Sequence, residues 1–523
     1  MKVYFLILTL FLVLISCQSN KQSSVEIEQL PATIEEKIEL FFESQNFDNW
    51  AISQEEKENI TEFYQNRNFA PKWITEENWN SQGKKVNQII QNTIFFGLPQ
   101  KRYLFESDTI SLLENEIKTS VILSRIASDL KNGIFIKDTC ILKPIQYLKS
   151  DTLSKKLLFQ DSISIEKQLI NWGPSNQKYQ EFAQALFSFC KTYPIQKEQY
   201  NIRTEKIDSL NSLKESYNSL IQKGFIKDTI FDTIRIRESI KKYQELHLLE
   251  ADGKIGYKTC KILNESNFNK IVRAAITLDK IRTNSNYPPN FIQVNLPHYH
   301  LTYTFNDTIR SQNRVIIGST KTASPKVNSI IKYIVIYPFW RVPYSIASKE
   351  LLPKIQKDSN YLAKNNYKVY KKDIEQNPKD INWNALNENK FPYRIVQDYG
   401  PENSLGLFKL SFNNPYWIYV HDTPNKKLFN KDVRAMSHGC IRCDSIKELV
   451  TDIIYFDRQY IKDDTLNIDT ILKNKEQKVI LLRNPLPIFI EYQTVVYSDH
   501  QLKFLIDIYR EDEGCIQKFI NPN

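Results

Sequence analysis

A cysteine beside a histidine that can take its proton is a covalent catalyst, because the thiolate attacks carbon far better than the thiol. The stretch Tyr416–Ser445, Y-W-I-Y-V-H-D-T-P-N-K-K-L-F-N-K-D-V-R-A-M-S-H-G-C-I-R-C-D-S, holds such a pair. His421 closes a short run of strand-forming residues, and Cys440 follows it by 19 positions, directly behind Ser437-His438-Gly439. That interval suits a base at the end of one strand and a nucleophile at the start of the next, with a polar loop crossing between them. Gly439 permits close backbone approach, so the amides around Gly439 and Cys440 are candidates for holding an oxyanion. The chemistry expected is acyl transfer through a thioester on Cys440, with His421 as base.

The same residues admit another reading. Cys440 and Cys443 form C-x-x-C, and with His421 and His438 they make four zinc ligands. A structural zinc site usually draws on a second paired knuckle, and the only other histidine pair, His298 and His300, lies far upstream. Acyl transfer is therefore preferred, and neither metal nor cofactor is expected. A thioredoxin-like redox pair is disfavoured too, because no strand, C-x-x-C and long helix follow one another as in a βαβ unit.

The elements that must position the pair come from hydrophobic period. Beyond Tyr287-Pro288-Pro289 the period is two: residues 291–296, 300–305, 314–318 and 334–336 read as strands between turn signals. From Ala347 to Tyr393 the pattern turns polar and helical, then strands resume at Phe408-Lys409-Leu410, at Lys478–Leu482 and from Pro487 to Tyr497. Upstream, residues 33–195 repeat apolar positions at three and four, as in Ile34, Ile38, Phe41 and Phe42, and glycine is sparse. Residues 234–264 place a helix with Ile236, Ile240 and Tyr243 on one face before Asp252-Gly253 and Gly256, which punctuate the entry to a second helix.

A histidine followed at this distance by S-H-G-C and an arginine resembles the L,D-transpeptidase (YkuD) catalytic domain. V-N-L-P, R-V-I-I-G, Ser324-Pro325, Y-P-F-W-R-V-P-Y-S-I from Tyr337 and G-P-E-N-S-L-G from Gly400 are similar to that family as well. The resemblance implies Cys440 as nucleophile, His421 as general base and acid, and Ser437, His438, Gly439 and Arg442 as residues shaping the pocket. Trp340 and Tyr344 would line the cleft or pack in the core. Arg442 and Arg434 suit either a substrate carboxylate or a structural ion pair. The I-L-S-R-I-A-S-D-L-K-N-G and F-Y-Q-N-R-N-F-A-P-K-W stretches resemble the helical scaffold of the larger, YcbB-like enzymes. Y-Q-E-L-H-L-L…D-G-K-I-G-Y-K-T resembles a peptidoglycan-binding type 1 module, with Leu248 where that family usually has glycine.

The fold class implied is multidomain α+β. It comprises a helical scaffold over 18–200, a small helical peptidoglycan-binding-like module over 201–280, and a mainly-β catalytic domain over 288–485. A helical lid is expected over 347–395 and closing strands with a tail over 486–523. The implied activity is formation of 3-3 peptidoglycan cross-links, in wall biogenesis and cell shape. The alternatives are a wall-binding lipoprotein without catalysis and the zinc-stabilised module.

At 523 residues the chain exceeds one core, and its 41% apolar and 25% charged content is that of globular protein. The net charge of +10 is scattered among acids, with no nucleic-acid motif, so no nucleic-acid partner is expected. Lys2 precedes an apolar run, Val3–Ile15, too short to span a bilayer and suited to a signal peptide. It ends in Leu14-Ile15-Ser16-Cys17, which resembles a lipobox, so cleavage before Cys17 and its acylation are expected over 1–17. That implies a monomeric lipoprotein of the outer membrane facing the periplasm. The other cysteines, Cys140, Cys190, Cys260, Cys440, Cys443 and Cys515, are read mostly as buried single thiols, with Cys443 a candidate for reversible pairing to Cys440.

Overall fold

A computed structural model describes residues 33–522 except 45–46, 48–49, 106–110, 138, 161, 228–229, 285–286 and 460–465. The expected signal peptide and the Cys17 anchor lie outside the described residues. The chain divides into two compact units, one of residues 1–86, 105–121 and 149–155, the other of 87–104, 122–148 and 156–523.

The smaller unit is built on amphipathic helices. Thr33 and Ser53 accept backbone N–H bonds at the starts of Ile34–Glu43 and Gln54–Gln65, stopping the chain where a helix would leave donors unpaired. Their apolar faces bury Phe41, Phe42, Phe63 and Tyr64. Glu116, fully buried, accepts from the amides of Lys72, Trp73 and Ile74 and from the Tyr64 hydroxyl.

In the larger unit, helices Ser209–Gln222, Thr233–Leu246 and Tyr257–Asn264 form the small module. The Gln244 amide organises its turn, accepting from the Gly253 N–H and donating to Asp252, Thr259 and the Lys254 carbonyl. Leu248 takes the left-handed conformation (φ 51°) that a glycine would otherwise supply, so the turn keeps its shape despite the side chain. Helix Asn267–Thr283 follows and is buried on almost every side. Its charges meet acids: Arg273 pairs with Glu265 at 2.8 Å, and Lys280 with Asp512 at 3.2 Å. Cys140 and Cys515 form a disulfide, which corrects their reading as single thiols. They lie 375 residues apart, and spacing alone offered no pairing signal.

Residues 291–491 build a sheet whose strands are β1 (Phe291–Asn295), β2 (His300–Phe305), β3 (Thr308–Gly318), β4 (Val327–Ile336), β9 (Phe408–Phe412), β10 (Val420–His421), β11 (Ala435–Ser437), β12 (Ile441–Cys443) and β13 (Lys478–Glu491). Their order is β11-β3-β12-β10-β9-β4-β13-β1-β2, and β2 also pairs with β3, closing the sheet on itself. Alternate residues such as Val294, Ile317, Ile334, Leu410, Val420 and Ile441 fill one core, and helix Ile446–Arg458 packs into it with Leu449, Val450 and Ile453. A hairpin of β14 (Val495–Ser498) and β15 (Gln501–Phe504) follows.

The insertion departs from its expected all-helical form. Short helices do occupy Tyr344–Lys364, but they pack on a four-stranded sheet of β5 (Trp340–Arg341), β6 (Tyr367–Lys371), β7 (Ile374–Gln376) and β8 (Arg394–Gln397), ordered β5-β8-β6-β7. Leu351, Ile355, Leu362, Val369 and Ile395 give it a core of its own. The period-two run Y-K-V-Y-K carried that strand signal, and the sheet reaches beyond both expected ends of the lid, to Trp340 and Gln397.

Candidate active site

The register of three strands builds the site. In the parallel pair of β10 and β12, Val420 lies opposite Ile441 and His421 opposite Arg442, and the Ile441 N–H donates to the Tyr419 carbonyl at 3.0 Å. Val420, Ile441 and Cys443 point into the core. Side chains alternate, so His421 and Arg442 share the opposite face, while Tyr419 and Cys440 stand one residue before the two strands, where the Tyr419 hydroxyl meets the thiol. Cys440 is then a diagonal neighbour of His421, about 8 Å away between Cα atoms from strand spacing and rise, a gap that an imidazole and a thiol can bridge. Across β9, His421 lies opposite Lys409.

The nucleophile's loop is pinned from several sides. Gly439 holds φ 111°, a conformation closed to most side chains, although a Cβ there would have space. Its carbonyl accepts from the Ser324 hydroxyl at 2.7 Å, and Ser324 in turn accepts from the Gly318 amide at 2.9 Å. Tyr509 donates to the Gly318 carbonyl at 2.6 Å. Ser437 spans the turn, its hydroxyl donating to the Cys440 carbonyl at 2.5 Å and accepting from the Gly439 amide at 3.2 Å. The Gly439 amide thus has a partner inside the loop.

Electrostatics keep the pair neutral at rest. Burial lowers the His421 pKa from 6.5 to about 3, helped by the charges of Arg442 and Lys409. Its Nδ1 lies 2.5 Å from the Asp422 carbonyl oxygen, and the ring also bonds to the Leu405 backbone. Asp422 is held by the Leu407 amide at 2.9 Å and by Lys426 at 2.6 Å, and Gly406 is required beside it, because a Cβ there would come 2.4 Å from the carboxylate. Burial raises the Cys440 thiol, while the Tyr419 amide and hydroxyl, Lys409 and Arg442 oppose that shift. The resting state is a thiol beside a neutral imidazole.

Residues 289–457 match the family model described as the L,D-transpeptidase catalytic domain, YkuD. Those residues are similar to the L,D-transpeptidase catalytic domain. Residues 58–186 match a scaffold domain. A Haemophilus influenzae protein bearing the provisional name of an L,D-transpeptidase is 32% identical over 251 residues, 47% of this chain and 49% of that protein. The chain thus spans about half the length of the curated relative it matches. Among solved structures, an L,D-transpeptidase from Stackebrandtia nassauensis aligns with TM-score 0.17 and 13% identity, covering 53% of this chain and 90% of that one. The Ldtfm–avibactam carbamoyl enzyme aligns with TM-score 0.19 and 10% identity, covering 39% and 49%.

Within the transpeptidase domain, the remaining candidates divide. Trp340, on the lid strand β5, reaches the Tyr419 hydroxyl, which also contacts Cys440. His438 is exposed and its Nε2 meets Glu350 Oε1 of the lid at 2.5 Å. Arg434 is committed elsewhere: it donates to the carbonyls of Val315, Lys431 and Tyr299, and its guanidinium lies over the Tyr299 ring, so it serves the loop and not a ligand. Arg442 keeps a buried Nε with no hydrogen-bond partner among the described residues. Cys443 is fully buried on the core side of β12, facing away from Cys440, which removes both the reversible disulfide and the four-ligand zinc arrangement. Tyr419 and Lys409 were missed. Tyr419, two residues before His421, was within reach of a period-two argument; Lys409 needed the register between β9 and β10.

Proposed function

We propose that this chain is a peptidoglycan L,D-transpeptidase forming 3-3 cross-links, with Cys440 as nucleophile and His421 as general base and acid. What supports the reading is the β10–β12 register, which pairs His421 with Arg442 and so brings the segment carrying Cys440 beside His421, within residues that match the L,D-transpeptidase catalytic-domain model. The His421 imidazole takes the Cys440 proton as sulfur attacks the carbonyl of the third stem residue. The amide C–N bond breaks, the proton passes to the departing D-alanine amine, and a thioester remains. A side-chain amine of a second stem attacks the thioester, and its proton returns through His421 to sulfur. Arg442, with its free Nε, suits a stem carboxylate.

The lid supports this reading, since Trp340 and Glu350 both reach the nucleophile's surroundings, and shielding a thioester from water favours amine over hydrolysis. Residues 201–280 are proposed as a wall-binding module. The chain is proposed as an exported, monomeric lipoprotein of the outer membrane. The apolar run before Cys17 and the Cys140–Cys515 disulfide support export, since disulfides persist in oxidising compartments. Among the described residues no helix is long and apolar enough to cross a membrane.

The test is incubation of the protein with tetrapeptide-bearing wall fragments. Released D-alanine with cross-linked dimers is expected, together with a carbapenem adduct mapped to Cys440 by mass spectrometry. Adduct and products both absent would leave the non-catalytic wall-binding reading in its place.

A further inference from the structure

The row Arg442–His421–Lys409 runs directly across β12, β10 and β9, so two cations flank the imidazole on adjacent strands. Among the described residues neither has an acid as ion-pair partner: the charges acting on Lys409 are Cys440 and Arg341, and that acting on Arg442 is Cys440. The Lys409 ammonium lies 4.1 Å from the Tyr419 ring centroid, on the ring whose hydroxyl meets the thiol. Arg341, exposed on lid strand β5, adds a third positive charge on this side. Elsewhere in the same unit, more deeply buried arginines are neutralised: Arg102 by Asp129 at 2.7 Å, Arg273 by Glu265 and Arg282 by Asp279. Partly buried cations without a counter-charge cost stability, and beside a nucleophile the missing partner is an anion that arrives with the substrate.

We propose that Lys409 is a specificity residue that pairs with a peptide carboxylate of the donor stem, across the imidazole from Arg442. This rests on the transpeptidase reading and adds to it a second cation, on a different strand from the family motif. The carboxylate has two sources with one chemistry, the terminal group of the departing residue or the side-chain carboxylate of the residue before it. An ammonium is a point charge with no fork to match, so Lys409 selects charge while Arg442 offers directed donors.

The test uses the full chain and three tetrapeptide donors: both carboxylates free, the terminal one amidated, or the side-chain one amidated. Lys409→Met should raise KM for the free donor about 10- to 100-fold, the range of one lost charge-assisted contact, and Lys409→Arg should recover most of it. On the amidated donor that lacks the paired carboxylate, wild type should fall to the level of Lys409→Met, and the variant should lose nothing further. That identifies the source. An equal penalty on all three donors overturns the proposal, as does an unchanged KM.

A second measurement needs no turnover. The ratio of Cys440 alkylation rates by iodoacetate and iodoacetamide reports attraction of a carboxylate to the thiol, because any change in thiolate content affects both reagents alike. Lys409→Met, with Lys409→Gln as a second variant, should lower that ratio about fivefold. An unchanged ratio overturns the proposal. A lowered ratio with a wild type inert toward every tetrapeptide would keep the carboxylate site and sink the transpeptidase reading instead.

Discussion

Two regions of this molecule bury cations and treat them oppositely. Along helix Asn267–Thr283, Arg273 reaches Glu265 and the Thr494 carbonyl, Arg282 reaches Asp279, and Lys280 reaches Asp512, itself 0% exposed. On the sheet face around Cys440, Lys409 and Arg442 have no acidic partner among the described residues. Arg273 and Arg282 are buried, Lys280, Lys409 and Arg442 are half-buried, and the counter-charge differs. A buried pair costs little when intact and several kcal/mol when broken, whereas an unpaired charge is a standing cost that a bound anion can offset. The helix is thus expected to answer in stability and the sheet face in catalysis.

The largest effects should come from the sheet face. Cys440→Ala is expected to abolish thioester formation, and His421→Ala to lower acyl transfer about 10²- to 10⁴-fold, the usual range for loss of a general base. Both should keep wild-type urea midpoints. A variant at either position that unfolds early while retaining transfer would erase the distinction between the regions.

Next is the helix. Asp512→Asn leaves Arg273 and Lys280 facing an uncharged amide, and urea unfolding should show a loss of about 3–5 kcal/mol. Arg442→Met removes a charge that has no acid to strand, so its stability should stay within about 1 kcal/mol of wild type while transfer falls. The reverse ranking would mean that Arg442 has a structural partner. The Cys140–Cys515 bridge closes a loop of 375 residues within the same unit, and reducing it should cost about 2–4 kcal/mol by the same assay.

The buried histidines give a pH axis. His298 and His421 have pKa values pushed from 6.5 to about 3, and His247 and His300 are also lowered, all chiefly by burial. Unfolding exposes these rings, which then bind protons below pH 6.5 that the folded chain refuses. Stability is therefore full above pH 6.5 and is lost as pH falls toward 3, by about 1.4 kcal/mol per pH unit for each proton taken up. Denaturation scans from pH 7 to pH 4 should show it, and His421→Asn should make the slope shallower. A slope unchanged in that variant would mean that the ring is already charged when folded.

How much of this could be read from sequence depends on how local each signal is. Cys440 and His421 stood out because strand period and a 19-residue interval suffice to suggest facing positions. Helical caps such as Thr33 and Ser53 are equally local. Lys409 is a neighbour of His421 only through strand pairing, and Tyr509 reaches the nucleophile's loop from the chain's far end, so neither had a local mark. The lid strands did have one, in Tyr367–Lys371, but the polar helical pattern preceding them dominated the reading. The Gly439 amide illustrates a subtler limit. Its backbone freedom was legible, whereas the Ser437 hydroxyl that occupies its N–H depends on the turn's three-dimensional path.

The smallest expected effect probes a local cost on the structural side. Leu248 sits just past helix Thr233–Leu246, where the Leu249 amide bonds back to the Gln244 carbonyl at 3.0 Å and the chain must pass through φ 51°. A Cβ in that conformation costs about 1–2 kcal/mol, and glycine's extra freedom in the unfolded chain returns part of the difference. The side chain is 42% exposed, so little burial is lost on removing it. Leu248→Gly is expected to gain about 0.5–1 kcal/mol in urea unfolding, with acyl transfer from a soluble donor unchanged. A loss of stability would show that leucine's packing outweighs its strain. A gain accompanied by weaker sedimentation with intact wall material would place this turn, like Lys409 and Arg442, among the positions where a standing cost serves a ligand.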